Sequence, residues 1–508
     1  MARSPASSVV CHESGVPLSS PVFLFVFLPV SLVLLLVAGV VDNALRRRRG
    51  ADARPVVQNL VLLAVSLGFA LFGSGWQVGV LVATVVMAFV AGRLVEAGTN
   101  RSVEGSTARR LGLWLGVGGP LALLAFFKYA DVVVVACNGV LEFMGAPTQA
   151  WTSLALPLGL SFVVFQATAY VVDVDRGLVK ARHHVLDLAL FLTLFPRLLA
   201  GPVVRLASID AELDRRPVSV AGMARGATRF VWGLAKKVMV ADACAVVANS
   251  VFALPVAELS TRTAWIGMTA FTLQLTFDVS AYADMAIGLG RMVGFTLPEN
   301  VRRPLSASSM TDFWHRFHIT VSTWFRDVVY LPLGGSRGTT ARTVRNLCVV
   351  FLVSGLWLGA RWTFVVWGLM HAVVMTIERK TGTTTAVSFV FGRRVLTFLL
   401  VVVTFTVFRA DSLLQAGSLV WAAVTPHELG NPLPVPVWEA LSHRHVLAMV
   451  LASASVFLPG NFVTGRWLTE SVGVVVGVAR LIILTVVALL ALTLVMSEPT
   501  IAPFFSRF

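Results

Sequence analysis

The sequence is short of charged residues. Only 13% of its 508 residues are Asp, Glu, Lys or Arg, whereas a soluble domain carries about 25%. No long polar block is present that could form a separate soluble domain. These shortages exclude a soluble enzyme, a disordered chain and a coiled coil.

Cysteine is scarce as well. The chain has four cysteines, and none forms a CxxC pair or a Cys/His metal-ligand spacing. Cys137, Cys244 and Cys348 lie in apolar stretches, where we expect buried thiols. The pattern predicts neither a disulfide framework nor a zinc site.

What the sequence has instead is apolar surface. Hydrophobic residues make up 56% of the chain, and the mean hydropathy is +0.81. A membrane-spanning helix needs about 20 apolar residues, so the sequence predicts an all-α polytopic membrane protein with roughly eleven to thirteen membrane helices. We divide it into a disordered tail, residues 1–20, and a single membrane domain, residues 21–508. The apolar runs are residues 21–41, 56–72, 78–92, 111–127, 132–144, 154–172, 185–199, 347–358, 362–377, 395–408, 446–458 and 481–496.

The formal net charge is +15, and the positions of the basic residues fit a membrane topology. Basic residues cluster in short loops between apolar runs, as in residues 46–49, and this placement favours cytoplasmic loops over nucleic-acid binding. The first positive cluster comes after the first apolar run, whereas a signal peptide carries its charge before it. The pattern predicts an uncleaved anchor with the N-terminus outside.

Ionisable residues within apolar runs are costly in a membrane and are therefore candidate functional groups. In residues 277–284, helical spacing puts Asp278 and Tyr282 on one face, and likewise Ser280 and Asp284. The block is either functional or a structural polar cluster between helices. The nearest cations in sequence, which we expect as partners, are Arg291, Arg302 and Arg303.

A second candidate block spans residues 313–327. If this block is one helix, Trp314, Phe317, His318 and Phe325 lie along one stripe. His318 is then either a core histidine with satisfied hydrogen bonds or a base, because its ordinary pKa is near neutral.

A third block runs from residue 354 to His371. Its small residues allow close approach of helices. Arg361 either extends towards a membrane interface or has a role in the site. His371 is equally compatible with packing and with function.

Several blocks, in order, resemble the membrane-bound O-acyltransferase family, and most closely its alginate O-acetylation branch, which is also similar to the teichoic-acid D-alanyl transfer proteins. They include Leu-Pro-Leu-Gly-Leu-Ser-Phe at residues 156–162, Phe-Pro-Arg-Leu-Leu-Ala-Gly-Pro at 195–202, Gly-Leu-Ala-Lys-Lys at 233–237, the 278–284 block, the 313–327 block and Leu-Pro-Leu-Gly-Gly-Ser-Arg at 331–337. The blocks cover roughly residues 155–410.

The resemblance implies a bowl of helices around a transmembrane tunnel. It implies an acyl donor from the cytoplasm, acetyl-CoA or another acyl thioester, and a hydroxyl acceptor on the other side, on a cell-envelope glycan or a secreted molecule. An accessory envelope acyltransferase protein, a location in the bacterial cytoplasmic membrane and no bound cofactor or metal are further expectations.

The resemblance also implies two site histidines. One sits in a motif that reads Phe317-His318-Ile319-Thr320 here. The other, the favoured catalytic base, sits in a Leu-Trp-His-Gly motif that reads Leu356-Trp357-Leu358-Gly359. Losing a general base costs about 10²–10⁴-fold in rate. In this chain Leu358 stands where that motif has its histidine, and three explanations are open. The chain is a degenerate family member that acts as a scaffold or glycan-export partner, another histidine (His318 or His371) serves as the base, or Leu358 is an engineered or erroneous residue.

The remaining expected roles concern charges and aromatic residues. Asp278 and Asp284 are expected to position residues around the tunnel, and Arg326 or Arg337 to attract an anionic donor. A secondary transporter is the weaker alternative, because no internal repeat is apparent. The expected site is completed by Ser280, Tyr282, Trp314, Asp327, Asn346, Trp357 and His371.

Overall fold

The computed structural model describes residues 17–49, 54–99, 106–199, 201–216, 218–383, 390–426, 432–457, 474–497 and 501. Within these ranges the regular structure is helical and contains no strand. Most of the predicted disordered tail, residues 1–16, lies outside the described residues. Leu18 and Ser19, at the end of that tail, are buried.

The first eight α-helices precede residue 200. They are α1 (Leu28–Arg49), α2 (Val56–Ser74), α3 (Val78–Thr99), α4 (Thr107–Leu113), α5 (Gly119–Phe143), α6 (Leu160–Asp175), α7 (Val185–Thr193) and α8 (Phe195–Leu198).

The other α-helices follow residue 200, and short 3-10 and π-helical segments join several of them. They are α9 (Leu206–Asp214), α10 (Val220–Ala235), α11 (Asp242–Phe252), α12 (Thr261–Met292), α13 (Met310–Arg316), α14 (Ile319–Trp324), α15 (Thr340–Leu358), α16 (Trp362–Lys380), α17 (Val390–Arg409), α18 (Leu413–Val424), α19 (Val435–Ala440), α20 (His443–Phe457) and α21 (Val474–Ser497).

Six helical stretches of the described residues are long and apolar enough to cross a membrane. The predicted all-α polytopic membrane class is confirmed. Several other predicted runs form shorter helices. The six stretches are Phe23–Arg48, Val56–Thr99, Thr107–Phe143, Thr340–Leu358, Phe391–Arg409 and Val476–Ser497.

Three predicted boundaries are wrong. The runs 111–127 and 132–144 form one helical stretch, because α5 continues through residues 128–131, which separate the two runs. The run 185–199 divides into α7 and α8, because the backbone of Leu194, with φ −52° and ψ 113°, is not helical. The Pro-rich residues 425–440 are typical of a loop in sequence, but residues 435–440 form α19.

The described residues group into two compact units. The smaller unit contains Leu62–Leu199. In it, α3 approaches α6 and the π-helical segment Trp114–Gly118 through glycines. A Cβ at Gly92 would lie 2.6 Å from the Tyr170 hydroxyl oxygen, so a larger side chain there would separate these helices.

The larger unit contains Leu18–Val61 and Ala200–Ile501. Helix α12 packs against α10, and the backbones meet at Gly226 and Gly288. A Cβ on either glycine would lie 2.6 or 2.7 Å from the carbonyl oxygen of the other. Helices α15 and α16 approach in the same way at Gly355 and Gly368, which confirms the predicted close packing of the third block.

The predicted burial of the thiols is correct only in part. Cys244 on α11 is buried, Cys348 on α15 is partly exposed, and Cys137 on α5 is exposed. Helix α5 belongs to the apolar helical stretch Thr107–Phe143. In the most apolar part of this stretch, only 11% of the residues are buried inside the protein. Cys137 therefore lies on an apolar outer face and not in a core.

Candidate functional site

A sharp turn at His318 is the main feature of the candidate site. Helix α13 ends at Arg316 and α14 begins at Ile319. Between them His318 has a left-handed backbone, with φ 50° and ψ 46°. A residue other than glycine pays about 1–3 kcal/mol for such a conformation, and such strain concentrates at functional sites. The prediction of one helical stripe through residues 314–325 is wrong, because the helix is broken at this turn.

Asn300 holds the turn in place. Its backbone oxygen accepts a hydrogen bond from Ile319 N at 2.9 Å. Its side-chain oxygen accepts from Thr320 N at 3.1 Å and from Thr320 Oγ1 at 2.8 Å. Thr320 Oγ1 in turn accepts from Val203 N at 2.9 Å. Asn300 is fully buried, so these bonds compensate the strain at His318.

The same amide sets the tautomer of His318. With its oxygen bonded to Thr320, the Asn300 nitrogen faces His318 Nδ1 at 3.4 Å. The amide can only donate there, which assigns Nδ1 as the acceptor and leaves the ring proton on Nε2. Removal of water from the ring by the surrounding protein lowers the pKa of His318 to about 4. His318 is therefore neutral at pH 7, with Nε2–H available as a donor.

Asn300→Asp tests this tautomer. A carboxylate still accepts from Thr320 but cannot donate to Nδ1, so the ring proton is expected to move to Nδ1. We expect kcat to fall about tenfold, the equivalent of one hydrogen bond. Thermal stability should fall as well, because the carboxylate enters a fully buried position. Asn300→Ala, which also removes the acceptor, is the control for the loss of stability. A kcat in Asn300→Asp equal to that of the parent chain would contradict the assignment.

An ion network leads from α12 to Asn300. Arg229 on α10 donates to Asp284 at 2.8 Å and to both carboxylate oxygens of Glu299, the residue before Asn300, at 2.6 and 2.7 Å. Lys236 pairs with Asp284 and donates to Ser280 at 2.8 Å. The predicted shared face of Ser280 and Asp284 is thus confirmed. The network anchors the segment that carries Asn300.

A second ion cluster lies on the other face of α12. Lys237 Nζ lies 3.0 Å from Asp278 Oδ1 and 2.7 Å from Asp242 Oδ1, and Lys237 and Asp278 are almost fully buried. Tyr282 is buried beside them, with its ring centroid 5.8 Å from Lys237 Nζ. The predicted shared face of Asp278 and Tyr282 is confirmed.

The predicted cations for these carboxylates are wrong. The partners come from α10 and the π-helical segment that follows it, because the glycine contacts between α10 and α12 bring those cations against the acids. These cations take the place of the expected partners, which are Arg291, Arg302 and Arg303.

We expect Lys237→Met to destabilise the protein strongly, because it leaves two carboxylates in a buried site without their cation. Breaking a buried ion pair from one side costs about 3–5 kcal/mol. The matched control is Arg361→Met, because Arg361 pairs with Asp411 at 3.1 Å on the surface, where a pair contributes about 0–1 kcal/mol. Thermal unfolding in detergent measures both. Equal effects would show that the Lys237 cluster adds no stability.

His371 lies in an aromatic box. It is fully buried, stacks on Phe351 with ring centroids 5.7 Å apart and contacts Trp367 at 4.8 Å. Its Nδ1 accepts from Trp314 Nε1 at 3.3 Å. Of the two open interpretations, the contacts favour packing, since the box encloses the ring. The Trp314 ring also contacts the ring of Phe317, the residue before His318, with 6.2 Å between the ring centroids.

Leu358, where the resemblance implies a second site histidine, is the last residue of α15. It is partly exposed. The preceding Trp357 ring lies 6.2 Å from Phe325, on the π-helical segment that follows α14. The end of α15 therefore packs beside the element that continues from the His318 turn.

Three other predicted residues lie on helical segments that follow α14. Asp327, on the π-helical segment, pairs with Arg205 at 2.7 Å and with the exposed Arg326 at 2.7 Å. Asn346, on α15, is fully buried and donates to the carbonyl oxygens of Leu333 and Gly335 at 3.1 and 3.0 Å. Asn346 therefore holds the Pro-Leu-Gly-Gly loop in place.

Known proteins resemble this chain over much of its length. The model of the MBOAT, membrane-bound O-acyltransferase family, matches residues 149–413. The chain is 40% identical to the "Probable alginate O-acetylase AlgI" of Pseudomonas aeruginosa, over 78% of this chain and 72% of the relative. It is 32% identical to the "Peptidoglycan O-acetyltransferase" of Helicobacter pylori, over 71% and 70%. It is 26% identical to the "Teichoic acid D-alanyltransferase" of Bacillus subtilis, over 43% and 58%.

Proposed function

Because this chain belongs to the membrane-bound O-acyltransferase family, in its alginate O-acetylation branch, we propose that it transfers an acetyl or other acyl group from a cytoplasmic thioester to a hydroxyl of a cell-envelope glycan. The relatives named for acetylation of alginate and of peptidoglycan support this acceptor class. The observation that carries the proposal is the strained, hydrogen-bonded turn that presents His318 at the family's motif.

In the proposed reaction the acceptor hydroxyl oxygen attacks the acyl carbon of the thioester. A C–O bond forms, the C–S bond breaks, and the hydroxyl proton ends on the released thiol. Nε2–H of His318 donates to an oxygen of the reacting groups and orients it. Of the two roles open to His318, orientation and deprotonation, the tautomer set by Asn300 supports orientation.

The site would work in a multi-pass protein of the bacterial cytoplasmic membrane, with the N-terminus outside. Acetyl-CoA is the proposed donor, and Arg326 and Arg337 remain the proposed attractors of its negative charge. Arg326 is mostly exposed although it pairs with Asp327, which leaves its charge accessible to solvent. An accessory envelope acyltransferase protein is a proposed partner of this chain.

A non-catalytic scaffold is the rival function, and Leu358 is the feature that favours it. A leucine can neither accept a proton nor donate a hydrogen bond. Hydrolysis of acetyl-CoA by the purified protein in lipid vesicles separates the two functions. An enzyme releases thiol faster than vesicles carrying the His318→Ala variant. A scaffold releases none above that background, a result that would overturn the proposed function.

A further inference from the structure

The larger unit contains a cavity apart from the His318 turn. Its volume is about 400 Å³, within the range of small-molecule sites, roughly 300–1,000 Å³. It lies between α10, the π-helical segment Lys236–Ala241, α12, the 3-10 turn Pro304–Ser306, α20 and α21. Its walls are mostly apolar and include Met239, Val240, Phe277, Leu305, Leu451 and Val487.

The size and lining of the cavity favour an alkyl chain. An apolar cavity of about 150 Å³ stays dry and binds benzene. This cavity is more than twice as large. If it were empty, many atoms of its walls would have no packing partner. Water is a poor occupant, because it needs several polar partners.

Two buried polar groups in the wall lack partners. Trp232 Nε1 and Thr276 Oγ1 have no hydrogen-bond partner among the described residues, and both side chains line the cavity. Leaving such a group unsatisfied costs about 1–3 kcal/mol. Both groups can donate, so the occupant should carry an acceptor oxygen.

The charge of Lys236 in the wall is compensated, because Lys236 pairs with Asp284 and donates to Ser280. Arg303 is held at the wall by a hydrogen bond that it donates to the Ser455 carbonyl oxygen at 2.8 Å. The two buried donors described above, Trp232 Nε1 and Thr276 Oγ1, are neutral groups. A neutral ester carbonyl therefore fits these two donors better than a carboxylate or a phosphate.

The outer wall of the cavity faces apolar surroundings. Helix α21 contributes Val487, and its spanning stretch is only 11% buried inside the protein. Helices α20 and α21 also lie beyond the family match, which ends at residue 413. In a membrane protein, the apolar molecule with ester groups at this surface is the bilayer lipid itself.

We propose that this cavity binds one acyl chain of a diacyl membrane lipid, with an ester carbonyl at Trp232 and Thr276. The bound chain fills the space between the α10–α12 pair and the two C-terminal helices. In this proposal the bound chain does not react, because His318 is not among the residues that line the cavity.

The test uses the full chain in lipid nanodiscs that contain phosphatidylglycerol with a photoreactive diazirine at the end of one acyl chain. After irradiation, mass spectrometry locates the cross-links. We expect them at the cavity walls, in peptides with Met239, Phe277 or Leu451. Ala452→Phe fills the cavity from α20 and should lower this labelling about tenfold, an effect of about 1.4 kcal/mol. Ala454→Phe is the control, because Ala454 is exposed on the same helix and lies outside the lining.

A second variant keeps the cavity volume. Thr276→Val removes one donor and should lower the labelling by up to about tenfold, while the protein folds normally. Equal labelling in Ala452→Phe and Ala454→Phe, or labelling confined to the exposed face of α21, would overturn the site. If a fatty acid with the same diazirine labels the walls more strongly than the phospholipid, the ester assignment is wrong.

Discussion

His318→Ala is expected to lower the rate of acyl transfer by about 10²–10³-fold, the usual cost of removing one donor that stabilises developing charge on oxygen. The loss should appear in kcat, because the proposed hydrogen bond strengthens as charge develops on the acyl oxygen. Steady-state rates of thiol release in vesicles with a glycan acceptor measure the effect.

The control for this variant is His315→Ala. His315 is exposed on α13, three residues before His318, and it takes no part in the proposed chemistry. We expect His315→Ala to keep the parent rate within a few fold. If the two variants lose activity equally, the effect comes from disturbance of the α13–α14 region and not from the ring of His318.

Leu358→His is the second variant with a large expected effect, and we expect it to raise the rate of acyl transfer. Restoring a histidine at the family's usual base position is expected to raise the rate by about 100-fold, since general-base catalysis contributes about 10²–10⁴-fold. Leu358 ends α15 and is partly exposed, so the larger polar ring can be accommodated. The rate at saturating donor is the measurement.

Leu356→His serves as the matched control. Leu356 is 40% exposed on the same helix, two residues earlier, and we expect no gain in rate there. An unchanged rate in Leu358→His would mean that the chain has lost more of the base site than one side chain. A gain in both variants would point to a nonspecific effect of imidazole near the end of α15.

Local spacing predicted part of the site well. Asp278 and Tyr282 share one face of α12, and Ser280 and Asp284 share another, because a regular helix fixes residues four apart. The prediction of the cations is wrong, because residues near in sequence need not be near in space. Lys237 and Lys236 lie more than 40 residues before the α12 carboxylates that they contact.

The turn at His318 could not be predicted from residue types alone. No glycine or proline lies between Trp314 and Phe325 to mark the end of a helix. The turn exists because Asn300 binds the backbone of Ile319 and Thr320. Asn300 is not among the site residues expected from the sequence, and its role arises from a contact between separate segments of the chain.

We propose that this chain forms an ester through His318 without a histidine at position 358. Mild-alkali release followed by mass spectrometry, on purified envelope glycan and secreted products, tests this proposal most directly. The cells compared carry the parent chain, its deletion, His318→Ala or Leu358→His. We expect an ester that the parent chain adds and that both the deletion and His318→Ala remove. An ester that is absent with the parent chain but present with Leu358→His would contradict the proposal.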